Sequence, residues 1–169
     1  PLPTEEALEI IGKNGVTETE IFFNAESELK PAFVDMLLDI KEEYGINIVS
    51  IHPTMSLAEP FMIFSEYERR FHESIYKFAR YSEIAAALGA KYIILHGDKP
   101  HGKLSDEEYC DRFMLLNRET RKNNVTVLQE NVANFRSGDL EFLRSMRNIL
   151  GNEVEFCFDI KQAIRRGYN

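Results

Sequence analysis

Apolar residues recur along the chain with two periods that alternate with each other. Short, mostly apolar runs typical of strands occur at residues 19–24, 46–51, 90–95, 125–128 and 154–158. Between them, apolar residues recur every three or four positions, which is typical of amphipathic helices. The helical segments cover residues 4–14, 28–44, a long stretch ending at Leu88, 105–116 and 139–150, and another helix begins within the last ten residues.

Capping signals set several helix boundaries. Thr4 is predicted to be the N-cap of the first helix, because its hydroxyl can accept a backbone N–H. Ser105 and Glu108 have the spacing of a capping box. Residues 54–64, rich in Met, Phe and Pro, are predicted to form a loop.

The alternation of strands and helices predicts parallel βαβ units with a mean step of about 34 residues. Two architectures fit this pattern: a doubly wound open sheet and part of a (β/α)8 barrel. No glycine-rich phosphate-binding loop follows any predicted strand, so the nucleotide-binding forms of the open sheet are disfavoured.

Composition narrows the class of protein. The 169 residues include 28 acidic and 20 basic ones, a net charge of −8, which argues against binding to a nucleic acid backbone. No apolar run reaches the roughly 18 residues that a membrane span needs, and no secretory signal is visible at the start of the chain. The two cysteines lack the spacing of a disulfide framework or a zinc site. We therefore expect a reduced, cytoplasmic protein without nucleic acid or membrane partners.

Candidate chemistry collects where the strands end. His52, His96, Glu130 and Asp159 follow four successive predicted strands. The carboxyl ends of parallel strands meet at one edge, which is where α/β proteins bind ligands. A single histidine in such a place is more often structural, and a single carboxylate is more often a helix cap. Two imidazoles and two carboxylates on four successive strands instead indicate a divalent metal site.

Four segments carry a family resemblance: residues 45–53, 88–97, 127–131 and 156–159. In this order they resemble strands of the xylose isomerase-like TIM-barrel superfamily, which contains sugar and sugar phosphate isomerases and epimerases, inosose dehydratases and endonuclease IV. The resemblance implies a (β/α)8 TIM barrel of which the sequence covers about five strands, without the first and the last two. Residues 1–169 are then expected to be one barrel domain, incomplete at both ends, and the chain begins with Pro1 rather than Met.

The resemblance also implies roles for the residues at the strand ends. Residues matching Glu130 and Asp159 bind Mn²⁺, Mg²⁺, Co²⁺ or Zn²⁺, and the one matching Glu130 also acts as an acid/base group. His52 and His96 match positions that contact the substrate in epimerases and bind metal in the nuclease branch. The remaining metal ligands are expected on strands seven and eight.

The segment after the last strand departs from the family pattern. Many relatives have Asp-x-x-His where this chain has Asp159 and Gln162, which weakens the interpretation as a zinc nuclease. Gln162 and Asn131 are instead expected to bind substrate. Lys161 is a candidate contact for an anionic or hydroxyl group, although a solvated loop lysine is the more frequent case.

The function expected from these features is metal-dependent isomerisation or epimerisation of a sugar or sugar phosphate through an enediolate-like intermediate. Two alternatives remain: a non-catalytic sugar-binding or regulatory barrel, and an abasic-site nuclease of the endonuclease IV type. The aromatic segment 61–64 fits a lid, a contact within a homo-oligomer or plain packing.

Overall fold

The computed structural model describes residues 2–168, and within this range strands and helices alternate along the chain. The strands are β1 (Glu18–Phe22), β2 (Asn47–His52), β3 (Tyr92–Leu95), β4 (Thr126–Glu130) and β5 (Glu155–Cys157). The helices are α1 (Thr4–Lys13), α2 (Pro31–Tyr44), α3 (Glu59–Met62), α4 (Glu68–Leu88), α5 (Asp106–Arg121), α6 (Leu140–Leu150) and α7 (Ile160–Arg166). The predicted alternation is confirmed, and each strand lies within two residues of its predicted bounds.

The five strands form one parallel sheet in the order β1-β2-β3-β4-β5. Each strand therefore pairs with the next one in sequence, without the reversal of strand order that defines a doubly wound sheet. Consecutive helices also pack side by side: α1 contacts α2, α2 contacts α4, α4 contacts α5, and α5 contacts α6. The helices thus cover one face of the sheet, as in a barrel, and the TIM-barrel prediction is confirmed.

A row of β-branched side chains joins the sheet to its helices. The strand register places four of them side by side on adjacent strands, and each is at most 3% exposed: Ile21, Ile51, Ile93 and Val127. We call this helix-covered side the outer face and the opposite side the inner face. Because side chains alternate along a strand, the residues that flank this row lie on the inner face.

The pairing of β1 with β2 contains an irregularity that affects the site. Thr19 pairs with Ile48, but Glu20, the next residue, pairs with Ser50. Val49 is therefore an extra residue in β2, which is the definition of a β-bulge.

The bulge determines which face His52 occupies. Ile48 before the bulge and Ile51 after it are both fully buried on the outer face, although they are three residues apart. His52 follows Ile51 and so lies on the inner face. With regular alternation, His52 would share the face of Ile48 and point into the helices.

Local capping agrees with the sequence in one helix and differs in two others. In α5, Ser105 and Glu108 form the predicted capping box, with both hydrogen bonds present. The predicted N-cap at Thr4 is wrong, because Pro3 holds that position and the Thr4 hydroxyl donates to the carbonyl of Phe22 instead. The helix predicted to begin at residue 28 begins at Pro31. Proline disfavours helical geometry in the residue before it, and Lys30 is accordingly extended.

The predicted loop 54–64 contains a 3-10 turn, Ser56–Ala58, followed by the short helix α3. Its side chains divide into two groups: Ile63 and Phe64 are buried, and the Phe64 ring stacks on Tyr109 at 4.1 Å, whereas Phe61 is 60% exposed. Packing therefore accounts for Ile63 and Phe64. Within residues 2–168, no helix has both the length and the apolar character that crossing a membrane requires.

Glu59, the first residue of α3, is completely buried. Its Oε2 accepts a hydrogen bond from the Gly97 amide at 2.6 Å, which ties the segment after β2 to the end of β3. Burial raises the pKa of the Glu59 carboxyl well above its usual range, because the charged form loses its hydration; the hydrogen bond from Gly97 opposes this rise.

Glu59→Gln should change how stability depends on pH. The folded protein keeps a proton on Glu59 at pH values where the unfolded chain has lost it, so wild-type stability falls as pH rises above the ordinary Glu pKa. Gln carries no such charge. The advantage of Glu59→Gln over wild type should therefore grow by about 1.4 kcal/mol per pH unit until the folded pKa is reached.

Urea unfolding of the full chain between pH 5 and pH 8 measures this difference. Glu73→Gln, which replaces an exposed glutamate of α4, is the control and should differ from wild type by the same amount at every pH. A constant difference for Glu59→Gln over this range would contradict the prediction.

Candidate active site

Three of the side chains predicted from strand ends meet on the inner face. His52 ends β2, His96 follows β3 and Glu130 ends β4. Each offers one potential metal-ligating atom, and these three atoms lie within 4.8 Å of one another. The two imidazole ring centres are 5.0 Å apart, and Nε2 of His96 is 3.1 Å from Oε2 of Glu130. We call these three residues the His-His-Glu cluster.

The cluster contains polar atoms that no protein group satisfies. Of five buried side-chain atoms without a hydrogen-bond partner in residues 2–168, three belong to it: both histidine Nδ1 atoms and Oε2 of Glu130. The 3.1 Å contact between His96 and Glu130 is thus an ion-pair distance without hydrogen-bond alignment. Leaving a buried polar atom unpaired costs about 1–3 kcal/mol. Concentrating such atoms in one place is typical of a site that binds a ligand, and imidazole nitrogen with carboxylate oxygen suits a divalent cation.

The imidazole of His52 is held by two residues of β1. The Phe22 ring stacks on it with centroids 4.6 Å apart and an angle of 18°. Oε1 of Glu20 lies 3.0 Å from Nε2 of His52, and the other carboxylate oxygen accepts the Ser50 hydroxyl. Both contacts depend on the bulge, because it brings Ser50 and His52 to the inner face.

Glu20 is a site residue that the sequence did not reveal. Partial burial acts to raise the pKa of its carboxyl, but His52 beside it and the Ser50 hydroxyl outweigh this effect and lower the pKa. Glu20 is therefore a second carboxylate at the inner face, on the side of His52 that is away from Glu130.

The backbone around His96 and Glu130 is fixed by a buried polar network. The Gln129 amide nitrogen donates to the carbonyls of Leu95 and His96 at 3.0 Å each, and its oxygen accepts the Tyr109 hydroxyl at 2.6 Å. The Ser137 hydroxyl donates to the same His96 carbonyl at 2.8 Å. These groups hold the ends of β3 and β4 together directly behind the cluster.

Asp159 does not belong to the His-His-Glu cluster in this conformation. Its Oδ1 accepts a hydrogen bond from the Gln162 backbone N–H at 2.9 Å and so caps the start of α7. The Asn131 side chain makes two hydrogen bonds with the backbone of Asp159. Its oxygen accepts from the Asp159 N–H at 2.6 Å, and its nitrogen donates to the Asp159 carbonyl at 2.9 Å. Asn131 thus sets the position of the loop that carries Asp159.

The two other predicted substrate residues lie at the start of α7. The Gln162 side-chain oxygen accepts the Ala133 amide at 3.2 Å, which connects the loop after β4 to the loop after β5. Lys161 is exposed. The structure therefore places Gln162 in a bridge between two strand-end loops and leaves the Lys161 side chain at the surface.

Comparison with known proteins agrees with this architecture. Residues 7–169 match the family model described as xylose isomerase-like TIM barrel. No curated protein matches the sequence at a significant level.

Several solved structures share the fold. The IolI protein with a bound zinc atom has a TM-score of 0.78 and 19% identity, and the matched region covers 99% of this chain and 62% of the IolI chain. A sugar phosphate isomerase/epimerase from Parabacteroides distasonis has a TM-score of 0.71 and 16% identity, covering 98% and 62%. An AP endonuclease, family 2, from Brucella melitensis has a TM-score of 0.70 and 16% identity, covering 94% and 64%.

The chain spans about three fifths of the length of these three structures. At such low identities the likeness establishes the fold and leaves activity open. The family resemblance expected from the strand ends is confirmed by the match over residues 7–169. The chain belongs to the xylose isomerase-like TIM barrel family.

Proposed function

We propose that the protein is a metal-dependent isomerase or epimerase of a sugar or sugar phosphate. The observation that carries the proposal is the convergence of His52, His96 and Glu130 on one buried point of the inner face. Moving a proton between adjacent carbons of a sugar requires a carboxylate in a protected site and a means of acidifying a C–H bond. Membership of the family and similarity to a sugar phosphate isomerase/epimerase support this choice.

The cluster fits a divalent cation because it brings three potential ligand atoms within 4.8 Å of one another and leaves Oε2 of Glu130 and both histidine Nδ1 atoms without a hydrogen-bond partner. We propose that His52, His96 and Glu130 hold the ion, with Asp159 as a further ligand from the next strand. A bound cation polarises the oxygens of a sugar and thereby lowers the pKa of the neighbouring C–H group. Among Mn²⁺, Mg²⁺, Co²⁺ and Zn²⁺, two imidazole ligands favour Zn²⁺ over Mg²⁺, and the similar IolI protein carries zinc.

Glu130 is the proposed acid/base residue. It is 7% exposed, and its Oε2 accepts no hydrogen bond within the protein. We propose that it removes the proton from the carbon beside the carbonyl, which leaves an enediolate-like intermediate, and delivers it to the neighbouring carbon, while a hydroxyl proton moves from one oxygen to the other. The Gln129 amide nitrogen donates to the Glu130 backbone carbonyl at 3.1 Å, which restrains the backbone from which the carboxylate extends.

Substrate contacts are proposed for Asn131, Lys161 and Gln162, and for whichever of His52 and His96 does not bind the ion, since the matching histidines contact the substrate in epimerases. Asn131 and Gln162 bond to the loops after β4 and β5, so we propose that they shape the rim of the site through those loops. Lys161 is proposed to reach an anionic or hydroxyl group of the sugar. A cytoplasmic location, with both cysteines free, is part of the same proposal.

A second candidate function is cleavage of DNA at abasic sites. It is favoured by the two histidines of the cluster, which match metal-binding positions of the nuclease branch, and by the similarity to an AP endonuclease, family 2. The net charge of −8 disfavours it, as does Gln162 in place of the histidine that nuclease relatives have. Nicking of a duplex with one abasic site would favour the nuclease over the isomerase.

Glu130→Gln should abolish proton transfer. The amide cannot accept a proton from carbon, so we expect a rate at least about 100-fold lower. The full chain is incubated in D₂O with ketopentoses, ketohexoses and their phosphates. NMR then measures how fast deuterium replaces the carbon-bound hydrogen of each sugar, which reports this step directly. Glu155→Gln, which replaces an exposed carboxylate of β5, is the matched control and should exchange normally. Undiminished exchange in Glu130→Gln would refute the acid/base role.

Metal affinity should depend on the residues of the cluster. Titration of the metal-free full chain with Co²⁺, followed by its visible absorption, should show affinities about tenfold or more weaker in His52→Ala and His96→Ala. Asp159→Asn should mainly weaken metal binding. His72→Ala, at an exposed position of α4, should bind like wild type. Sugar binding that is indifferent to EDTA, without bound metal, would instead favour the non-catalytic sugar-binding barrel.

A further inference from the structure

A buried carboxyl lies directly behind the site and has no part in the proposed chemistry. Glu59 is completely buried, and its Oε1 has no hydrogen-bond partner among residues 2–168. Its other oxygen accepts the Gly97 amide at 2.6 Å. Gly97 is the residue after His96, so Glu59 holds the peptide that directly follows a member of the cluster.

The backbone at this point leaves little freedom for rearrangement. Gly97 has a φ of 105°, and a Cβ added there would lie 2.2 Å from the Tyr109 hydroxyl oxygen. The Tyr109 hydroxyl in turn donates to Gln129, whose amide nitrogen donates to the His96 carbonyl. Glu59 therefore supplies the restraint on the Gly97 side, while Gln129 acts on the His96 carbonyl.

The segment that carries Glu59 is fixed independently. Arg112, which is 7% exposed, donates from its guanidinium to the carbonyls of Ile63 at 2.6 Å and Ser65 at 2.7 Å. Phe64 stacks on the Tyr109 ring of the same helix, α5. The segment that carries Glu59 is thus bonded to α5. The hydrogen bond from Gly97 to Glu59 therefore restrains the end of β3 relative to this helix.

We propose that Glu59 is a positioning residue for His96: its hydrogen bond to the Gly97 amide fixes the peptide after His96 and keeps the imidazole directed at Glu130. The part of this inference that concerns metal affinity rests on the proposed function. The part that concerns the orientation of His96 stands without it.

Two substitutions at Glu59 separate hydrogen bonding from other effects. Glu59→Gln keeps an oxygen acceptor for the Gly97 amide, whereas Glu59→Ala removes it. We expect Co²⁺ affinity to fall about 10- to 100-fold in Glu59→Ala and to return to within a few-fold of wild type in Glu59→Gln.

Asn117→Ala controls for general loss of stability. Asn117 is completely buried in α5, and its side-chain oxygen accepts the Val127 amide at 3.0 Å, so it makes the same kind of bond near the start of β4, away from the cluster. Asn117→Ala should lower stability without lowering Co²⁺ affinity. Equal losses of affinity in Asn117→Ala and Glu59→Ala would overturn the proposal.

NMR of the histidine rings in the metal-free full chain provides the second readout. Glu59→Ala should shift or broaden the ring signals of His96, whereas Glu59→Gln and Asn117→Ala should leave them at their wild-type positions. Unchanged His96 signals in Glu59→Ala would overturn the proposal. If wild type binds no Co²⁺ at all, the proposed metal function fails, and the His96 signals still decide the role of Glu59.

Discussion

The alternation of side chains between the two faces of a parallel sheet is the constraint on which the rest of the structure depends. It places a row of Ile and Val against the helices and leaves the flanking positions for the inner face. His96 and Glu130 reach the inner face by regular alternation, but His52 does so through the extra residue Val49. A single inserted residue thus converts a histidine that would be buried under helices into a member of the candidate site.

Buried polar groups divide into two sets with different consequences. Behind the strand ends, Gln129, Tyr109 and Ser137 satisfy their hydrogen bonds within the protein and therefore fix the backbone. Glu59 adds one bond to this layer through Oε2, while its Oε1 stays unpaired. The set in front, the His-His-Glu cluster, retains unpaired atoms. A rigid, satisfied layer that supports an unsatisfied one is the arrangement expected of a preorganised binding site.

The sequence predicted the order of elements and three residues of the cluster, because strand ends and hydrophobic periods are local signals. It missed Glu20, since a glutamate in the run Glu18–Thr19–Glu20 has the pattern of a solvated strand. It missed Glu59 because nothing local distinguishes a loop glutamate that is completely buried from one that faces water. The bulge was invisible for a related reason: it is defined by pairing with another strand. The bonds of Asn131 and Gln162 to neighbouring loops likewise depend on contacts 28 and 29 residues away in sequence.

Anomalous scattering from crystals of the full chain grown with Co²⁺ decides whether the strand ends form a metal site. We expect one strong peak at the carboxyl ends of the strands, within bonding distance of the Glu130 carboxylate and of at least one imidazole of the cluster. Crystals that hold Co²⁺ only at other places, with His52, His96 and Glu130 unchanged, would contradict it.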